Sequence, residues 1–223
     1  MSMIKKTIDY KQWKFNFDWI EQDHHLFVEH QESKINRISD IIQASNTIFD
    51  VGANIGIYSV FFKNINPNSK IYAFEALPDT ATICKLNTEQ YDINVFSYGI
   101  WDSNTTLKFG VPKDRPLQST NYGFYWDSNK SDEITVNVKT LDDICADLNT
   151  YPDFLKIDVE GGEINVLNGY SNNISKTKYI MVEYRRHSTL PYFEPVHNFL
   201  IENNFEEVLQ LDQFDKIYKN KQL

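Results

Sequence analysis

The chain predicts an α/β fold, a largely parallel sheet with helices on both faces, and three observations predict it. Short apolar runs alternate with amphipathic stretches of helical period. The stretches between the runs are long enough to serve as crossovers, which parallel pairing requires. The run TIFDVGANIGIYSVFF, residues 47–62, ends an apolar strand on an acid and then turns through two glycines into a second apolar stretch, the pattern of a strand–loop–helix unit.

The elements follow in chain order. WKFNFDWI alternates as a strand through Trp13, Phe15 and Phe17, and HHLFVEH reads as a second strand. SKINRISDIIQ places Ile35, Ile38, Ile41 and Ile42 on one helical face. TIFDVG is a strand, IYSVFFKNI a helix that stops before Asn66-Pro67, KIYAFEA a strand, and PDTATICKLNTEQY a helix with Pro78 in its first turn. NVFSYGI is a short strand and TTLKFGV an edge or hairpin strand. PKDRPLQSTNYGFYWDSNKSDE is a long irregular excursion, of the kind that is usually functional. ITVNVKT, FLKIDV and YIMVEYR are strands; LDDICADL, EGGEINVLNGY and PVHNFLIENN are helices; EEVLQLDQFDKIYKN is a terminal hairpin that adds an antiparallel edge. We expect residues 1–46 to form an extension or cap packed on a core domain of residues 47–223.

Composition excludes several classes. The chain has 223 residues, 41% of them hydrophobic, which suits one domain with a sizeable core. No apolar run approaches a bilayer span, and the opening MSMIKKTIDYKQWKF has no signal-like apolar segment, so a cytoplasmic location is the expectation. A formal net charge of −9 argues against nucleic acid as a partner, because phosphate backbones are held by clustered Lys and Arg. Lys113 with Arg115, and Arg185 with Arg186, read as solvated loop charge. Cys84 and Cys145 stand apart with no CxxC or Cys/His cluster, so we expect buried free thiols and no metal site.

The glycine turn is the candidate site. Gly52 permits the tight turn and Gly56 lets the next helix approach the strand, with Asn54 between them. A pyrophosphate loop avoids a carboxylate, whereas Asp50 stands directly before this turn. That favours a phosphate-free ligand with an ammonium group and hydroxyls, and S-adenosylmethionine fits. Glu75 ends the next strand, where its two oxygens are placed to accept from both ribose hydroxyls. A nicotinamide oxidoreductase fails on this loop, because GANIG lacks the GxGxxG spacing.

FDVGANIGIYSVFF, YAFEALPD, VKTLDDI, FLKIDVEGGEINVLNG and IMVEY together resemble the FkbM family of S-adenosylmethionine-dependent methyltransferases, from about residue 48 to the C-terminus. AFEAL stands where FEP is commoner, with Pro78 two residues on. The resemblance implies a class I methyltransferase fold, Rossmann-like, with a seven-stranded sheet and an antiparallel last strand. It also implies methyl transfer to a hydroxyl of a sugar or another small molecule, with S-adenosylhomocysteine as product. By position in that fold, Ile100, Trp101 and Asp102 border the adenine; Trp101 either packs on the ring or belongs to the core, and Asp102 either accepts from the adenine amino group or shapes the turn.

A hydroxyl acceptor needs a base at a strand end facing the sulfonium. Asp158 is either that base or a substrate orienter, beside the cofactor, or a cap on the next helix. Glu160 either points into the cleft or sits at the helix N-terminus; Glu163 reads as a first-turn helix acid. Glu183 ends an apolar strand, where a carboxylate needs a reason to be. His187 is either a base or a surface-loop residue. The aromatic loop with Tyr122, Phe124, Tyr125 and Trp126 is either the acceptor-recognition loop or an apolar flap. A cofactor-binding accessory protein of a glycan or natural-product pathway, without catalysis of its own, is the alternative.

Overall fold

The computed structural model describes residues 4–10, 13–19, 33–112, 131–184 and 193–223. An antiparallel pair, β1 (Ile4–Tyr10) and β2 (Trp13–Trp19), precedes the core. Of these, β2 is the strand read from the Trp13–Phe15–Phe17 alternation. HHLFVEH, the excursion from residue 113 to 130 with its aromatic cluster, and His187 with Arg185 and Arg186 lie outside the described residues.

The core elements are α1 (Ser39–Gln43), β3 (Thr47–Val51), α2 (Ile57–Ile65), β4 (Lys70–Phe74), α3 (Pro78–Thr88) and β5 (Ile93–Phe96). They continue with β6 (Gly99–Ile100), β7 (Thr105–Pro112), β8 (Ser131–Lys139), α4 (Leu141–Leu148), β9 (Phe154–Ile157) and α5 (Glu163–Asn168). The last are β10 (Tyr179–Glu183), α6 (Phe193–Glu202), β11 (Phe205–Gln210) and β12 (Asp215–Asn220).

The seven-stranded sheet runs β11-β12-β10-β9-β3-β4-β5. Strands β10, β9, β3, β4 and β5 pair in parallel, and β12 is antiparallel to both β10 and β11. The terminal hairpin forms the antiparallel edge of the sheet, as the chain pattern predicts. Its last strand inserts between β10 and β11, and β11 is the edge, because burying Ile217 and Tyr218 needs neighbours on both sides. NVFSYGI also divides: β5 closes the large sheet, while β6 joins β8 and β7 in a separate three-stranded sheet.

Strand alternation sorts the two faces. Phe49, Val51, Leu155, Ile157, Ile180 and Val182 pack with Ile144, Val166 and Leu200 of the helices on one face. Ile48, Phe154, Met181 and Ile217 pack with Val60, Phe61 and Phe62 of α2 on the other. Ile35, Ile38 and Ile42 join this second layer, as their helical spacing predicts. Lys34 forms ion pairs with Asp212 at 2.7 Å and with Asp215, and Arg37 donates to the carbonyls of Leu211 and Gln210. These bonds tie the segment before β3 to the β11–β12 turn.

Candidate active site

The parallel register sets Asp50 of β3 directly beside Lys156 of β9. Both point to the α2 face, and both are essentially inaccessible, Asp50 at 0% and Lys156 at 2%. The ammonium donates to Asp50 Oδ1 at 3.0 Å, while Ser59 Oγ of α2 donates to Oδ2 at 2.7 Å. The expectation that Asp50 presents its charge to a ligand is thereby corrected. Each of its oxygens has a protein partner, and Asp50 lies beneath the loop and not on the cavity wall. An isolated buried charge is costly, so the strand acid and the strand lysine are buried together.

Lys156 is the buried charge beside the site that the sequence reading missed. Its ammonium also reaches the Gly52 carbonyl at 3.3 Å, Asp158 Oδ2 at 3.5 Å, and the face of the Tyr58 ring at 4.8 Å from the centroid. Burial alone would lower its pKa, but Asp50 and Asp158 outweigh that and hold it above the ordinary lysine value. The signal was present in FLKI: a lysine in an otherwise wholly apolar strand requires a buried partner.

Above this pair, the loop makes its turn. Gly52 has φ +76°, and a Cβ there would lie 1.7 Å from the Asp158 carbonyl oxygen. The N–H groups of Gly52 and Ala53 both donate to the Phe74 carbonyl at 3.0 Å, which folds the loop over β4. Asn54 follows at φ +53°, and Gly56 at φ +90° stands before the first residue of α2, against Cys84 and Thr88. Gly56 is thus a helix-packing residue and does not line the cavity.

Glu75, just past β4, is clamped by two amides. Asn54 N–H donates to Oε2 and Leu77 N–H to Oε1, each at 2.9 Å. Burial pushes its pKa up to about 7, against the lowering effect of those two bonds. Each oxygen keeps a lone pair for a further donor.

Between these groups lies an open cleft, with about 690 Å³ not filled by protein atoms, solvent space included. Gly52, Asn54, Glu75, Asp158 and Glu160 supply its polar wall; Leu77, Ile100, Trp101, Leu107, Phe109 and Val138 supply an apolar one. The apolar wall comes largely from the small sheet of β6, β7 and β8, which the chain pattern did not distinguish from the main one. The side-chain oxygen Oδ1 of Asn54 is buried without a hydrogen-bond partner among the described residues.

The remaining predicted residues fall as follows. Asp158 and Glu160 line the cleft, Glu160 with φ +58°. Glu183 ends β10 opposite Asp215 and outside the cleft wall. Asp102 turns away from the cleft, accepting from Asn165 Nδ2 at 2.6 Å and from Ser103 Oγ at 3.0 Å. That bridges the turn after β6 to α5. Glu163 does open α5, but it is only 4% exposed, accepts from Gly161 N–H at 2.9 Å, and is pushed by burial to a pKa of about 6. Cys84 and Cys145 are buried free thiols. Among the described residues no cluster of three or more His, Cys, Asp or Glu could hold a metal, and no helix is long and apolar enough to cross a membrane.

The raised carboxyls predict the pH dependence of stability. In the native state Glu75 and Glu163 hold their protons to about 7 and about 6, against 4.5 as the ordinary value. Between those limits the folded state binds more protons than the unfolded one, so stability falls as pH rises. Urea titrations should show the protein losing stability from about pH 4.5 to about pH 7 through these groups, and Glu75→Gln should flatten that slope.

The profile of the methyltransferase FkbM domain matches residues 50–217. The 2-O-methyltransferase NoeI of Sinorhizobium fredii is 28% identical over 167 residues, covering 68% of this chain and 69% of NoeI. The hexuronic acid methyltransferase AglP of Haloferax volcanii is 25% identical over 158 residues, covering 69% of this chain and 62% of AglP. Among solved structures, the methyltransferase FkbM from Methylobacillus flagellatus superposes with a TM-score of 0.52 at 18% identity, over 78% of this chain and 43% of that one. Aeropyrum pernix fibrillarin, solved with natively bound S-adenosyl-L-methionine, superposes at 0.50 with 10% identity, over 80% of this chain and 66% of that one. At such identities these structures speak for the fold alone, a class I methyltransferase sheet. The family match begins at Asp50, ends in the last strand at Ile217, and takes in every loop that walls the cleft: the chain belongs to the FkbM methyltransferase family.

Proposed function

We propose that the chain is an S-adenosylmethionine-dependent O-methyltransferase acting on a hydroxyl of a sugar, glycan or other small molecule. The observation that carries this reading is the Glu75 carboxylate, pinned by two amides at the mouth of a glycine loop, beside an unpartnered buried acceptor on Asn54. Glu75 would accept from the ribose hydroxyls, Asn54 and the Gly52 loop would receive the amino acid head, and Leu77, Ile100 and Trp101 would enclose the base. These donor and acceptor sets fit the cofactor, which when bound supplies an activated methyl group on a sulfonium.

Asp158 lines the same cleft and removes the acceptor's proton or orients its hydroxyl, a contribution worth roughly 10²–10⁴-fold. Glu183, at the end of β10 and outside the cleft wall, is assigned to the acceptor side in this reading. The name of AglP supports a carbohydrate acceptor, and that of NoeI supports transfer to oxygen. We read residues 47–223 as the cofactor domain and the preceding residues as an extension packed on it; the bonds of Lys34 and Arg37 support this. The buried free thiols suit a reducing cytoplasm.

Isothermal titration should show S-adenosylhomocysteine binding and no response to NAD. Binding should strengthen from pH 6 to pH 8 and release protons, because the hydroxyls need ionised Glu75. Glu75→Ala should abolish binding. Asp158→Ala should retain the cofactor and slow transfer of labelled methyl to a responsive sugar by at least tenfold. Normal turnover by Asp158→Ala would remove Asp158 from its role, and a wild-type protein indifferent to S-adenosylhomocysteine would remove the function.

A further inference from the structure

We propose that Lys156 is a specificity-determining residue whose ammonium, shared among Asp50, the Gly52 carbonyl and Asp158, sets how strongly the site prefers a cationic sulfonium over the neutral thioether left after transfer. The inference rests on the cofactor reading above. In that reaction a lone pair of the acceptor oxygen forms the carbon–oxygen bond, the electron pair of the carbon–sulfur bond stays on sulfur, and the hydroxyl proton passes to the carboxylate base. Positive charge thus leaves the sulfur position. Carboxylates with no counter-charge would stabilise the reactant more than the transition state and the product, which lowers turnover.

The geometry places one cation among these acids. Lys156 Nζ lies 3.0 Å from Asp50 Oδ1, 3.3 Å from the Gly52 carbonyl and 3.5 Å from Asp158 Oδ2. Gly52 and Asp158 both wall the cleft, whereas Lys156 and Asp50 sit beneath it. The two carboxylates paired with Lys156 outnumber its single ammonium. Because the ammonium is almost wholly buried, its field on the cleft is weakly screened by salt. Lys156 does not wall the cleft; it acts through its neighbours.

Affinity for S-adenosylmethionine relative to S-adenosylhomocysteine, measured by calorimetry, reads this charge without any acceptor. Asp50→Asn removes one negative charge and keeps the shape, and it should reduce the preference for the sulfonium by about fivefold. Asp50→Asn/Lys156→Met removes one charge of each sign and should return the ratio to within about twofold of wild type. Lys156→Met alone is unsuitable for this comparison, since the destabilisation from an uncompensated buried Asp50 confounds the affinity ratio. If the single and the double variant, both folded by circular dichroism, kept the wild-type ratio or moved it alike, the inference would fall. A wild-type protein that bound neither compound would overturn the cofactor reading, and this inference with it.

Discussion

Gly52→Ala should abolish the proposed S-adenosylhomocysteine binding and lower stability by at least about 3 kcal/mol, which for a chain of this size is a drop of roughly 6–12 °C in Tm. Two costs add. The residue sits at φ +76°, where a side chain costs roughly 1–2 kcal/mol. The added methyl also falls 1.7 Å from the Asp158 carbonyl oxygen, a backbone atom that cannot rotate away. The loop must therefore lift, breaking the bonds from Gly52 and Ala53 N–H to the Phe74 carbonyl and moving Asn54 off Glu75. Gly161→Ala is the control. Its φ is +112°, but a Cβ there meets nothing within 4 Å, so it should show the conformational cost without the clash and retain binding. Thermal melts and calorimetry on the two variants separate the effects; equal losses would refute the close-approach argument.

Lys156→Met should cost about 3–5 kcal/mol, the ordinary penalty for leaving one member of a buried ion pair uncompensated. Methionine matches the lysine stem in size and leaves the buried Asp50 without its cation, keeping the hydrogen bond from Ser59 Oγ. Replacing both charges, Asp50→Asn/Lys156→Met, should recover most of the loss, because the desolvation of two ions is then avoided. Urea unfolding of the four proteins of this cycle gives the coupling directly. A double variant as unstable as the single would mean that the lysine stabilises the fold through contacts other than Asp50.

The helical and strand elements of the core were legible because each has a period of its own. Ile57–Ile65 and Leu141–Leu148 coincide with the stretches their apolar spacing marks. Glu75, Gly52 and Asn54 were legible because their positions relative to a strand end carry local chemistry. Less legible were features that depend on which strands are neighbours. NVFSYGI reads as one strand, yet Ser97 and Tyr98 separate residues that pair in two different sheets. Asp102 looks like a ligand contact in the linear order, but Asn165, sixty-three residues on, claims its carboxylate.

The sequence by itself determined the layered α/β architecture, the glycine loop and the acid that ends the next strand, since these follow from periodicity and from the backbone angles that glycine alone adopts readily. Only the tertiary structure decided where the charges act. Asp50 and Lys156 are distant in the chain and meet across two parallel strands, so whether the carboxylate faces a ligand or an ammonium is settled by register. Desolvation at that junction then requires the two to pair.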